Sequence, residues 1–139
     1  MLHVQKAMYD RYKTVVASEH LEETTDYLVA NAARGARICI LIGYRAYRYG
    51  KYIEKLAEHL RAPMFTMLDS KGGISESHRL SYGCIGLASH PAWGVAQDML
   101  QTCEIIVSVC ARDLIMCGLT ARDTGGQVRD KHLRLIAIA

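Results

Sequence analysis

Two periodicities alternate along the chain. Between residues 18 and 34, Leu21, Leu28 and Ala32 recur at helical spacing, which predicts a helix. Ser18 is its candidate N-cap, and Glu19, Glu22 and Glu23 suit the positive end of the helix dipole. Gly35 supplies the stop. Ile38–Gly43 is a continuous apolar run, too short for a helix and rich in β-branched residues. Such a run predicts a strand buried on both faces. Gly50–Leu60 predicts an amphipathic helix. Tyr52, Ile53, Leu56, Ala57 and Leu60 form its apolar side, and Lys51, Glu54, Lys55 and Glu58 its polar side. Further strands are expected at Pro63–Leu68, Cys103–Cys110 and Leu133–Ile138. Pro91 suits the first position of a helix that runs to Leu100. Residues 69–90 are rich in Gly and Ser and read mostly as loop, and residues 111–131 as a short helix and a mobile loop. Residues 3–15 are expected to form a short helix with Val4, Ala7, Met8 and Tyr12 on one side.

Strands alternating with helices imply parallel strands joined by right-handed crossovers. The expected fold is α/β: a three-layer Rossmann-like domain, with a mostly parallel sheet and helices on both faces. Residues 1–17 read as a helical appendage and residues 18–139 as one domain. In open α/β sheets ligands bind beyond the carboxyl ends of the strands. That rule points to Gly43–Tyr47, Asp69–Gly73 and Ala111–Asp113.

Composition narrows the functional classes. The chain has 139 residues, 50% hydrophobic and 22% charged, the make-up of a single globular domain. A net charge of +3 is too small to argue for a nucleic-acid partner by itself. The longest apolar runs fall far short of a membrane span. Met1–Lys6 carries no long apolar stretch with a cleavage site, so no signal peptide is expected. The five cysteines include no Cys-x-x-Cys, and Cys39, Cys103 and Cys110 lie in or beside apolar runs. They read as small hydrophobes in a reduced, cytoplasmic protein.

Most motifs that carry chemistry are absent. Gly43–Tyr52 resembles a stretched phosphate loop, but six residues separate Gly43 from Gly50 where four are needed. Tyr52 also stands where a hydroxyl must hold magnesium. There is no G-x-G-x-x-G, no H-E-x-x-H and no G-x-S-x-G, and the six histidines show no ligand spacing, so no metal is expected. His78, near Glu76 and Lys71, is expected to be satisfied by nearby backbone. Arg45, Arg48, Lys51 and Lys55 interleave with Tyr44, Tyr47, Tyr49 and Tyr52. The favoured reading packs these tyrosines on the sheet and leaves the cations in water. RNA binding through them is the alternative.

The segment Lys71-Gly72-Gly73-Ile74-Ser75-Glu76-Ser77-His78 resembles the lysine-glycine…proline-glutamate-aspartate-histidine stretch in the central domain of thiamine diphosphate-dependent enzymes, such as acetolactate synthases and 2-oxo acid decarboxylases. Leu80–Gly86, Pro91-Ala92 and Cys103–Arg112 are similar to later family segments, the last to a strand ending in glycine-x-arginine, with Cys110 in place of the glycine. The resemblance covers residues 20–139. It implies a non-catalytic domain that either binds FAD or an ADP-type cofactor or serves as packing. The residues implied in binding are Gly43, Tyr44, Arg45, Ser70, Lys71, Gly72, Gly83, Gly86, Ala111 and Arg112. The family's glycine-aspartate-glycine metal motif is absent and Asn31 is the one asparagine, so thiamine diphosphate is not expected on this chain alone. The partners implied are further copies of the chain or a larger enzyme on which it docks as a structural subunit.

Overall fold

The computed structural model describes residues 15–16, 21–85, 98–100, 102–111 and 134–138. Its strands are β1 (Val15–Val16), β2 (Ile38–Ile42), β3 (Met64–Met67), β4 (Ser81–Ile85), β5 (Ile105–Val109) and β6 (Arg134–Ile138). They form one sheet in the order β1-β6-β5-β2-β3-β4, and every pairing is parallel. Helix α1 (Leu21–Ala33) precedes β2, and helix α2 (Gly50–Leu60) joins β2 to β3. The α/β expectation holds: this is a Rossmann-like parallel sheet with helices on both faces.

Strand β2 sits at the centre and is buried at all five positions. Its side chains alternate between two cores, as the period of two requires. Ile38, Ile40 and Ile42 meet Leu28 of α1 and Ile53, Ala57 and Leu60 of α2. Cys39 and Leu41 meet Phe65, Ile106 and, on the helical stretch at 98–100, Leu100. Each large aliphatic side chain buried in this way stabilises the fold by about 1.5–3 kcal/mol. Tyr52 does not join the apolar side of α2, contrary to the periodicity. It is 72% exposed, because the buried stripe narrows to Gly50, Ile53, Ala57 and Leu60.

Both helices end in paired backbone bonds. At α1, Ala36 N–H donates to Asn31 C=O (3.0 Å) and Gly35 N–H to Ala32 C=O (3.1 Å), with Gly35 at φ +81°. That is the glycine stop read from the sequence. At α2 the same left-handed position is Arg61 (φ 52°), and Ala62 N–H reaches Ala57 C=O at 2.9 Å.

The expected strands at 63–68, 103–110 and 133–138 hold to within a few residues, and the helix expected from Pro91 to Leu100 is described only at 98–100; two further strands lie where the sequence predicts none. Ser81–Ile85 lies inside the stretch read as loop. It is only partly buried and contains Gly83, so neither burial nor β-propensity marks it. Val15 ends the expected 3–15 helix, yet Val15–Val16 pairs with β6. Positions 3–14, Ser18, Pro91 and residues 112–131 lie outside the described residues. Among the described residues no helix is long and apolar enough to cross a membrane.

The amino ends of β2 and β5 are clamped by Glu104. Its carboxylate accepts from Arg37 N–H (3.3 Å) and pairs with Arg34 at 3.2 Å. Arg37 also donates through Nε to Thr102 C=O at 2.6 Å. The Arg37 amide and then the Arg34 guanidinium hold the Glu104 carboxyl below its usual range. A depressed carboxyl stabilises the fold above its ordinary pKa, and that contribution is lost as pH falls through the folded value. Glu104→Gln should therefore lower Tm at neutral pH and flatten the acid limb of a Tm–pH profile; an unchanged acid limb would show that the clamp contributes nothing. Arg61→Gly should raise stability by about 0.5–1 kcal/mol, measured as a higher urea midpoint, because glycine relieves the left-handed strain.

Candidate functional site

The sheet order reverses between β2 and β5, since β2 continues to β3 on one side and borders β5 on the other. This is the topological switch point at which open α/β sheets bind ligands. Three sequence-distant segments meet at its carboxyl end: Gly43–Arg45 after β2, Ser70–Gly72 after β3, and Cys110–Ala111 after β5.

Gly43 is extended (φ −102°, ψ 176°), so its backbone is open to any residue. What selects glycine is space. A Cβ there would overlap the Cys110 carbonyl oxygen and lie 2.5 Å from the Ala111 Cα, while Gly43 N–H donates to Val109 C=O at 2.9 Å. Cys110 itself turns through φ 54°, the left-handed conformation that favours glycine. Ala111 is buried beneath it.

Ser70 is buried, and its hydroxyl lies against the Ile42 carbonyl and 3.0 Å from the Met67 carbonyl. It ties the end of β3 to the end of β2, so its proton is committed within the fold. Lys71 is exposed, 3.9 Å from the Glu76 carboxylate. Gly72 (φ +86°) and Gly83 (φ +89°) have nothing within 4 Å of where a Cβ would stand. Both need glycine for conformation and leave open surface. Gly83 makes a bulge, since Met64↔Ser81 and Thr66↔Cys84 leave one extra residue on β4. It stands on the far side of β3 from Gly43. Tyr44 and Arg45 are exposed. Gly86 and Arg112 lie outside the described residues.

A second glycine contact, not foreseen, locks the loops together. A Cβ on Gly50 would overlap the Gly73 carbonyl oxygen, and one on Gly73 would lie 3.1 Å from the Tyr47 Cα. A glycine opening an amphipathic helix, where a better helix former would serve, was the available signal. The loop from Lys71 to Leu80 is then pinned to α2 by its carboxylates. Glu54 accepts from Ser75 N–H (2.8 Å), and Glu58 lies 3.1 Å from His78 Nε2. His78 Nδ1 accepts from Leu80 N–H at 3.2 Å, the backbone partner expected. Its carboxylate neighbour is Glu58 of α2, and His78 thereby helps hold the loop.

The tyrosines correct the sequence reading. Tyr44, Tyr47, Tyr49 and Tyr52 are 47–72% exposed, and of the Tyr44–Tyr49 turn only Ala46 is buried. The turn leaves the rings in solvent beyond the carboxyl end of β2 instead of packing them on the sheet. Cys39 and Cys103 are the small hydrophobes expected, buried in one core, and a hydrogen bond to Cys103, then burial, push the Cys39 thiol far up, whereas Cys84 and Cys110 are half-buried. Among the described residues no three His, Cys, Asp or Glu side chains cluster to hold a metal. A cavity of about 330 Å³ lies at the opposite, amino end of the strands, lined by residues including Arg37, Cys39, Leu60, Arg61 and Cys103.

A parallel sheet, with its glycine-bearing loops gathered at the switch point, defines the class: a Rossmann-like α/β domain. The particular family follows from comparison with known proteins. The chain belongs to the thiamine pyrophosphate enzyme central domains, whose family model matches residues 26–136. No curated protein matches it.

The steric role of Gly43 gives a direct test. Gly43→Ala should cost about 1–3 kcal/mol, as overpacking does, seen as a lower urea midpoint. Wild-type stability in this variant would mean that β2 and the Cys110 turn are not in close backbone contact.

Proposed function

We propose that the chain is a non-catalytic, nucleotide-cofactor type of central domain, taking an ADP-containing ligand such as FAD or ADP at the carboxyl ends of β2, β3 and β5. The observation that carries this reading is the meeting of Gly43–Arg45, Lys71–Gly72 and Ala111 at the switch point of the sheet. The open backbone at Gly72 suits close approach of a diphosphate, and the exposed cations of Lys71 and Arg45 supply its counter-charge. Arg112 joins them by sequence. Ser70 supports the site through its bonds to Ile42 and Met67.

A second reading has its own observation. The side-chain space at Gly43, Gly50 and Gly73 is taken by protein backbone, as in a domain whose strand-end loops are built for packing. Such a domain serves as a structural subunit within a homo-oligomer or on a larger enzyme, without a ligand.

A thermal melt of the chain against FAD, ADP, NAD, NADP and coenzyme A separates the two. A ligand at about 100 times its Kd adds about 2.7 kcal/mol, a Tm shift of several degrees. The expected result is a shift with FAD or ADP that Lys71→Ala and Arg112→Ala each reduce, since a charge-assisted contact contributes about 1.5–3 kcal/mol. No shift with any of the five transfers the assignment to packing. Steady decarboxylation of pyruvate by this chain alone would overturn both.

A further inference from the structure

We infer that the surface from Tyr44 to Lys55 is a binding site for single-stranded nucleic acid. Four aromatic rings stand in solvent on the turn Tyr44–Tyr49 and the first turn of α2. Four exposed rings within nine residues mark an interaction surface. Tyr44 and Tyr47 stand 5.9 Å apart between ring centroids at 37°, and the Arg48 guanidinium lies 5.7 Å from the Tyr47 centroid. Arg48 Nε also donates to the Tyr47 hydroxyl at 3.1 Å, and the neighbouring phenols push the guanidinium pKa up. The Tyr47 hydroxyl thus holds the Arg48 guanidinium beside the ring.

Charge segregation selects the partner. The cations of this surface are Arg45, Arg48, Lys51 and Lys55, all exposed. Among the described residues none of them pairs with a carboxylate. The two carboxylates of α2 are engaged on the loop side, Glu54 with Ser75 and Glu58 with His78. From Tyr44 to Lys55 the chain thus carries four cations against one carboxylate, Glu54, interleaved with the four rings. A backbone of phosphates with bases to stack satisfies both halves. An acidic peptide would use the cations and leave the rings idle. A membrane surface would call for exposed aliphatic side chains to insert, and within this segment Ile53 is buried and Leu56 half-buried. Stacking requires unpaired bases, so a single strand is favoured over a duplex.

Fluorescence anisotropy of the full chain with a labelled, unstructured 15-nucleotide RNA, against the matching duplex, is the test. The single strand should bind at least about tenfold more tightly, with log K falling against log salt at a slope of about −2 to −3, the release expected from three or four phosphates. Tyr47→Ala and Tyr52→Ala should each weaken binding roughly five- to a hundredfold, while Tyr52→Phe and the distant Arg61→Gly stay within about twofold of wild type. Circular dichroism confirms that these surface variants fold. No binding of the single strand, equal binding of duplex or polyglutamate, wild-type affinity in both tyrosine-to-alanine variants, or a preference for phosphatidylserine vesicles would each overturn the inference. Tyr47 and Tyr52 lie outside the proposed cofactor positions, so either binding activity can fail without the other.

Discussion

Everything else in the fold hangs on the contact between β2 and β5. The two strands pair over five residues, from Ile38↔Ile105 to Ile42↔Val109, and every one of the ten positions is buried. A strand covered on both faces has no polar side to turn to solvent, so it can exist only at the centre of a sheet with helices above and below. Placing β2 there sends α1 and α2 to one face and the helical stretch at 98–100 to the other. At the amino end the same contact is held by Glu104. At the carboxyl end it is held by the absence of a side chain on Gly43.

That carboxyl end shows how a site and a packing problem share residues. Glycines in such loops serve a ligand when the space they leave stays open, and serve the fold when backbone fills it. Both cases occur here within a few residues. Gly43, Gly50 and Gly73 admit neighbouring backbone, whereas Gly72 and Gly83 adopt left-handed conformations and leave open surface. Cys110 takes a left-handed conformation in the turn whose carbonyl packs against Gly43. The family match spans residues 26–136, and the tyrosine-rich turn lies within it. Its rings and cations occupy the outer side of the chain between β2 and α2, where the scaffold imposes no burial.

The sequence by itself determined the fold class, the limits of α2, the central strands and the glycine stop of α1. Each of these depends on local periodicity or on the backbone freedom of one residue, and such signals survive without knowledge of neighbours. The family was legible too, because Lys71–His78 and Cys103–Arg112 keep their order and spacing. Only the tertiary structure decided the rest. Ser81–Ile85 is a strand because β3 offers it a hydrogen-bonding edge, a property of the partner and not of the segment. Tyr52 matched the apolar stripe of α2 by spacing, but the helix turns Ile53, Ala57 and Leu60, with Leu56 half-buried, toward the core and leaves Tyr52 in solvent. Whether Gly43 faces a ligand or a carbonyl, and whether Ser70 is free or committed, depends on which backbone folds against them. Those contacts join residues 28 and 67 positions apart, beyond the reach of any local pattern.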